Sequence, residues 1–337
     1  MFIIRRTKIF FALTLTTVLL ALASVFSFGL NPSIDFAGGS LLEVQYEGNR
    51  PAVLILREAV GETFPTAVIQ SVDTHNIIVK VTDMTDAQKQ TLLGLLTVDG
   101  EFAFTELRYK SISPTISDEL KNKALFALFL VVIIIVAFIA YTFSAVSKPV
   151  SSFKYGFVAI VALVHDILIP TGIFALLGSF LLDYQIDVLF ITALLAILGF
   201  SVNDTIVVFD RIRENLRLAQ EKDKDKHIRG KDFADIVGKS LDQTFVRSFN
   251  TSLTTLIALG FLFFLGGEAT RAFSLVLAVG VIAGTYSSLC IASPLLVWLE
   301  SKQDYSEKPK KEKELREGKT DFSHVPTVKI EKDALGG

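Results

Sequence analysis

Cysteine is almost absent from this chain. Cys290 is the only one in 337 residues, so there can be no internal disulfide and no cysteine-rich metal centre. An excess of either charge is missing too. Lys and Arg number 33, Asp and Glu 35, and the net charge is −2, so no global basic field calls for a nucleic-acid partner. No phosphate-cradling glycine loop, metal-ligand cluster or catalytic triad stands out. ATPase and hydrolase readings have little support, and the chain is expected to be neither an enzyme nor a cofactor carrier. What is abundant is apolar surface: 51% of residues are hydrophobic and the mean hydropathy is +0.50. The excess falls in blocks, which marks an integral membrane protein. The 28 phenylalanines lie mostly in those blocks and read as lipid-facing packing.

A spanning helix needs about 20 mostly apolar residues. Six blocks qualify: Ile9–Phe28, Ala124–Phe143, Phe157–Leu182, Val188–Phe209, Phe249–Leu265 and Ala272–Leu299. The first resembles a signal peptide, with Arg5, Arg6 and Lys8 ahead of it and Ala21-Leu22-Ala23 as a cleavage-like site. Its apolar run is long for a signal core and continues past that site, which favours a retained helix. Lys and Arg in the short loops set the orientation. Residues 1–8 are basic, as are Lys148, Lys154 and the charged segment 210–248, read here as a cytoplasmic basic loop. Asp183 and Asp187 lie in a loop without a basic residue. Both termini are therefore expected in the cytoplasm, with the chain in the cytoplasmic (inner) membrane and residues 29–123 outside.

That outer segment alternates strand-like and helical patterns: Ser40–Glu47, Pro51–Glu62, Thr66–Asp73, Asn76–Thr82, Thr85–Leu96 and Glu101–Tyr109. Asp73-Thr74-His75-Asn76 reads as a turn, and Asp83 or Thr85 as an N-cap. The order β-α-β-β-α-β predicts a ferredoxin-like α+β domain attached to an all-α six-helix transmembrane bundle. The tail 300–337 is dense in charge and expected to be disordered and cytoplasmic. Its basic residues are suited to anionic lipid or ribosomal RNA, but a solvated tail is the plainer reading.

Three polar interruptions break the apolar blocks: Asn203-Asp204, His165-Asp166, and Arg247 ahead of Asn250, Thr251, Thr254 and Thr255. A charge at the centre of a spanning helix costs about 2.5–3.5 kcal/mol on insertion scales. Asp204 precedes Arg211 by seven residues, about 10 Å along a helix, so it sits in the inner half of the bilayer, at a depth Arg247 can share. Two readings stand. Asp204 pairs with Arg247, or Asp204 marks a helix end while Arg247 snorkels. Arg247, Thr251, Thr254 and Ala258 share one helix face. Thr192, Ala196, Gly199 and Asn203 form a small-residue stripe on the preceding helix, and Gly280, Gly284 and Ser288 another on the last. Such stripes allow close helix packing. His165-Asp166 lies near the bilayer centre and reads equally as a hydrogen-bonded structural pair or as a proton relay.

The run Gly199-Phe200-Ser201-Val202-Asn203-Asp204-Thr205-Ile206-Val207-Val208-Phe209-Asp210-Arg211-Ile212-Arg213-Glu214-Asn215 resembles the signature of the SecF family. Asp35-Phe36-Ala37-Gly38-Gly39, Val164-His165-Asp166 and the stretch Ser240 to Thr255 match further family motifs, and the resemblance covers the first helix through the sixth. It implies a subunit that pairs with SecD in the SecDF complex, within the resistance-nodulation-division superfamily. Such a subunit assists protein export through the SecYEG channel using the proton gradient, with the proton as coupling ion. Further implied partners are YajC, the YidC insertase and the translocating polypeptide. The family assigns proton conduction to the positions of Asp204 and Arg247. We add Asn203, His165 and Asp166 to that set, and expect Asp35, Phe36, Gly38 and Gly39 to form a hinge to the outer domain. Ser113 stands where the family has a glycine, and the segment 218–232 is longer than the resemblance implies. A subunit of another exporter of the same superfamily, or a scaffold for SecD that conducts no protons, are the alternatives.

Overall fold

The computed structural model describes residues 2–82, 84–143, 151–180, 184–222 and 228–301. Asp83, Lys148, Asp183, Lys224, Lys226, part of 218–232 and the tail from 302 lie outside the described residues.

In chain order, α1 (Phe2–Arg5) leads into α2 (Thr7–Phe28), and a short α3 (Ile34–Ala37) precedes a sheet domain. That domain comprises β1 (Gly39–Tyr46), α4 (Val53–Gly61), β2 (Val68–Ser71), β3 (Asn76–Val81), α5 (Asp86–Leu96) and β4 (Phe104–Ile112). There follow α6 (Pro114–Thr142), α7 (Ser152–Phe180), α8 (Val188–Lys222), α9 (Gly230–Leu265) and α10 (Glu268–Tyr286). A π-helical turn at Ser287–Ala292 carries the last helix on to Ser301. Among the described residues, six helices are long and apolar enough to cross a membrane: α2, α6, α7, α8, α9 and the one built on α10.

The sheet is antiparallel with strand order β2-β3-β1-β4. Period-2 alternation puts Leu42, Val44 and Tyr46 of β1 on one buried face with Ile77, Val79 and Val81 of β3. There they meet Leu56 and Val60 of α4 and Leu92 and Leu96 of α5. Tyr46 donates its hydroxyl hydrogen to the Leu96 carbonyl, and burial pushes that phenol up to about 12. Local chemistry sets the ends. Asp73 accepts from the His75 and Asn76 amides at 2.6 and 2.7 Å, which closes the β2–β3 turn and holds its carboxyl below the usual range. Thr85 and Gln88 form a capping box on α5. Ser113 caps α6 ahead of Pro114 at the first helical position, so the departure from glycine supplies a cap.

Two close approaches draw the helices together. A Cβ on Gly172 of α7 would lie 2.5 Å from the Ala21 Cα of α2, and Ser24 donates to the Gly172 carbonyl at 2.8 Å. A Cβ on Gly280 of α10 would lie 2.2 Å from Ile197 of α8, and one on Gly284 would lie 3.0 Å from Ser201. Small residues let the backbones of these helices come close.

The segment 210–248 is largely not a loop. α8 runs unbroken to Lys222 and α9 begins at Gly230. Arg247 therefore lies inside α9, where the apolar pattern alone had placed it ahead of a helix at 249. The physical reason is a second, weaker amphipathic pattern. Phe209, Ile212 and Leu216 pack with Phe233, Val237 and Leu241, all buried in one cluster. Asn215 donates to Ser240 and to Gln243, each at 2.8 Å, and ties the pair together. Dense charge on the exposed faces hid that periodicity.

Candidate functional site: two buried carboxylates served by one helical turn

Asp204 points inward from α8 and is 8% exposed. It accepts hydrogen bonds from Ser248 of α9 on Oδ1 and Ser288 of the π-helical turn on Oδ2. Each hydrogen bond to an ionised group contributes about 1.5–3 kcal/mol, so two donors are of the size needed to offset the cost of the charge.

Asp166 of α7 is fully buried. Ser201 of α8 and Ser287 donate to its Oδ2, the latter at 2.8 Å, and His165 Nδ1 sits 2.9 Å from Oδ1. The His165 ring lies 5.9 Å from the Tyr286 ring, whose hydroxyl donates to the Phe10 carbonyl at 3.0 Å and lies 3.0 Å from Thr14. His165 also lines an apolar cavity of about 310 Å³ with Leu13, Thr17, Ile169 and Tyr286. Adjacent serines on one turn thus serve two carboxylates: Ser287 reaches Asp166 and Ser288 reaches Asp204. Each has a second acceptor on its own helix, the Gly284 carbonyl for Ser287 and the Thr285 carbonyl for Ser288, both at 3.0 Å. A π-turn within a spanning helix, set against two buried acids, fits the frequent association of such turns with functional sites. Beside it Ser252 of α9 hydrogen-bonds Thr285 at 2.5 Å.

Arg247 does not pair with Asp204 here. Its side chain is exposed, and among the described residues no cation forms an ion pair with Asp204. The reason is rotational. Consecutive helical residues project about 100° apart, and Ser248, not Arg247, occupies the position facing α8. Asn203 is exposed for the same reason. The predicted small stripe on α8 does not pack within this chain either. Thr192, Ala196 and Gly199 are exposed, and a Cβ on Gly199 would meet nothing within 4 Å. Arg247, Thr251, Thr254 and Ala258 are exposed on α9, where Thr251 and Thr254 donate to carbonyls of their own helix. Because α8 and α9 run antiparallel, stepping back one residue from the Asp204–Ser248 contact turns both side chains to the same side of the pair. The two stripes therefore flank one open face, with Asn203 and Arg247 on it.

The junction expected as a hinge is a close-packed corner. Gly38 and Gly39 have φ of +73° and +118°. A Cβ on Gly39 would lie 2.6 Å from the Val81 carbonyl oxygen, and one on Gly38 would lie 3.3 Å from Ser117 Oγ. Phe36 lines an apolar cavity of about 370 Å³ with Leu125, Ile167 and Phe190. Asp35 is buried, and its Oδ1 accepts from Lys110 at 2.6 Å.

The serines Ser201, Ser248 and Ser287 were not foreseen. Their signal is spacing: Ser201 precedes Asp204 by three residues, and Thr244-Ser248-Ser252 forms a stripe one position off the Arg247 stripe. Among the described residues no group of three or more His, Cys, Asp and Glu side chains is placed to hold a metal.

Residues 95–302 match the family described as "Protein export membrane protein SecD/SecF, C-terminal", and residues 23–49 match the "SecD/SecF GG Motif". The chain is 36% identical to the protein translocase subunit SecF of Thermobaculum terrenum over 313 residues, covering 89% of this chain and 94% of that protein. It is 34% identical to SecF of Pseudomonas aeruginosa, covering 86% and 88%. The crystal structure of Thermus thermophilus SecDF, described as a translocon-associated membrane protein, superposes with a TM-score of 0.74 at 33% identity. That match covers 88% of this chain but only 38% of the SecDF chain. In that relative the matching portion is part of a longer SecDF polypeptide. By sequence and by structure, this chain belongs to the SecD/SecF family of protein-export membrane proteins, as a subunit of the SecF type.

Proposed function

We propose that this chain works with SecD in a proton-driven complex that assists polypeptide export through SecYEG, and that Asp204 is its proton-carrying carboxylate. The observation that supports this most directly is the hydroxyl cage around Asp204. A serine hydroxyl donates to an ionised carboxylate and accepts from a protonated one, so Ser248 and Ser288 can serve both states without a fixed counter-charge. Ser288 then turns to the Thr285 carbonyl, already 3.0 Å away. His165 and Asp166 form the second station of the relay, connected to the first through Ser287 and Ser288 on the same turn.

The open face of α8 and α9 is where SecD packs in this reading. Small residues permit close approach there, and Asn203 and Arg247 offer polar contacts. Arg247 sits one residue from the Asp204-facing position, so a rotation of α9 by about 100° exchanges Ser248 for a guanidinium. The basic charge at the ends of α8 and α9 supports a cytoplasmic location for that end and for both chain termini. The sheet domain then lies outside the cytoplasmic membrane. Its antiparallel order β2-β3-β1-β4 supports the ferredoxin-like reading.

The test is Asp204→Asn, made with SecD present. The variant is expected to insert and co-purify with SecD but to lose proton-gradient-dependent stimulation of export and proton flux. Export at the wild-type level by that variant would sink the proposal.

A further inference from the structure

Asp35 has partners in two parts of the molecule. Its Oδ1 accepts from Lys110 Nζ at 2.6 Å, on β4 of the sheet domain. Its Oδ2 accepts from the Val188 amide at 3.3 Å, the first residue of α8. The Asp35 side chain is 10% exposed and that of Lys110 is 50% exposed. The carboxylate thus sits at the foot of the domain with one oxygen turned to each side.

The surrounding backbone reinforces the contact. Ser33 donates its amide to the Ile186 carbonyl at 2.9 Å, and Ile186 donates to the Asn31 carbonyl at 2.8 Å. The chain leaving α2 is thereby paired with the chain entering α8. Asp187 caps α8 by accepting from the Phe190 amide at 2.7 Å. A polar cavity of about 160 Å³ lies at this seam, lined by Asp35, Asp187, Gln185, Lys80, Arg108 and Lys110 among others.

Both sides of the tie are stiff. Gly38 and Gly39 follow Asp35, and a Cβ at either would meet Ser117 or the Val81 carbonyl, so the backbone of this corner is closely packed. α8 is one continuous helix without a proline, and Asp204 lies sixteen residues after Val188, about 24 Å along the axis at 1.5 Å per residue. An unbroken helix of this kind can carry a shift or rotation at Asp204 to Val188.

We propose that Asp35 is a positioning residue that fastens the sheet domain to the start of α8, so that movement of α8 is delivered to the sheet domain through the Lys110–Asp35–Val188 bridge. This rests on the reading of Asp204 as the proton-carrying carboxylate, and adds that α8 moves when that proton is taken up or released. The role of Asp35 is positional. It couples the proton step in the membrane to work outside it.

The test separates flux from work in the SecD-containing complex, reconstituted with the translocon. Asp35→Asn and Lys110→Met are expected to keep proton flux within twofold of wild type while export stimulation falls at least fivefold, and Lys110→Arg to restore export. Wild-type export in either variant, or flux lost together with export, overturns the proposal. A distance measurement between spin labels at Gln90 on α5 and Leu189 on α8, in a Cys290→Ala background, reads the tie without any assumption about protons. A narrow distribution that broadens in Asp35→Asn is expected, and one left unchanged overturns it. If Asp204→Asn retains flux, the proton reading of Asp204 fails, and the label distances still judge the tie.

Discussion

The hydroxyl cage around Asp204 places the chemistry in residues that carry no charge. Ser248 and Ser288 each donate to the carboxylate. Removing either donor leaves a buried acceptor short of a partner, which costs about 1–3 kcal/mol. Ser248→Ala is therefore expected to lower thermal stability in detergent and to slow proton flux, while Ser248→Thr preserves both. Arg247→Met, by contrast, removes an exposed side chain. It is expected to leave the stability of the isolated subunit unchanged and to show its effect only in the SecD complex, by co-purification yield and export. Equal destabilisation of the isolated subunit by both substitutions would place Arg247 inside the cage, against the observed geometry.

Between elements, the packing of α10 on α8 leads into the π-turn whose Ser287 and Ser288 reach Asp166 and Asp204. Gly280 lies against Ile197, and Gly284 against Ser201, which itself donates to Asp166. Overpacking of this kind typically costs 1–3 kcal/mol. Gly280→Ala is expected to destabilise by about 2 kcal/mol, and adding Ile197→Ala is expected to return part of the loss, a non-additivity expected of residues in contact. A thermal-unfolding double-mutant cycle checks it, and strictly additive effects would count against the contact. The glycine spacing on α10 was legible in the sequence, because a 4-residue step of small residues marks one helix face. The stripe on α8 was equally legible, and within this chain it is exposed. Spacing identifies a face, whereas the identity of what covers it depends on how the helices are rotated in the bundle.

For the whole molecule, the seam between the sheet domain and the helices is strongest in acid and weakens toward neutral pH. Burial pushes the Asp187 carboxyl above its ordinary range, and the neighbouring Asp35 charge pushes the same way, against the Phe190 amide and Lys110. A carboxyl whose folded value is raised contributes stability that is fully present below its unfolded pKa, about 3.9. That contribution is lost as pH rises through the raised folded value. Asp187→Asn keeps a cap for Phe190 and removes the buried charge. Its melting temperature is expected to match wild type near pH 4 and to exceed it increasingly toward neutral pH. A difference constant with pH would refute that assignment.

What the sequence determined by itself is the part that follows from composition along one chain: six apolar segments, a strand-and-helix segment between the first two, and an acid costly enough to need partners. Those properties depend on runs and periods that each segment carries alone. The extension of α8 and α9 beyond their apolar runs rests on Phe209, Ile212 and Leu216 against Phe233, Val237 and Leu241, a pattern that became clear only when the two faces met. Tertiary structure alone decided that Ser248 and not Arg247 faces Asp204, that Ser287 and Ser288 divide their hydroxyls between two acids, and that Asp35 joins the sheet domain to α8. The physical reason is common to all three. A one-residue change turns a helical side chain by about 100°, and the rotation of each helix is set by the packing of its neighbours, which no single segment encodes.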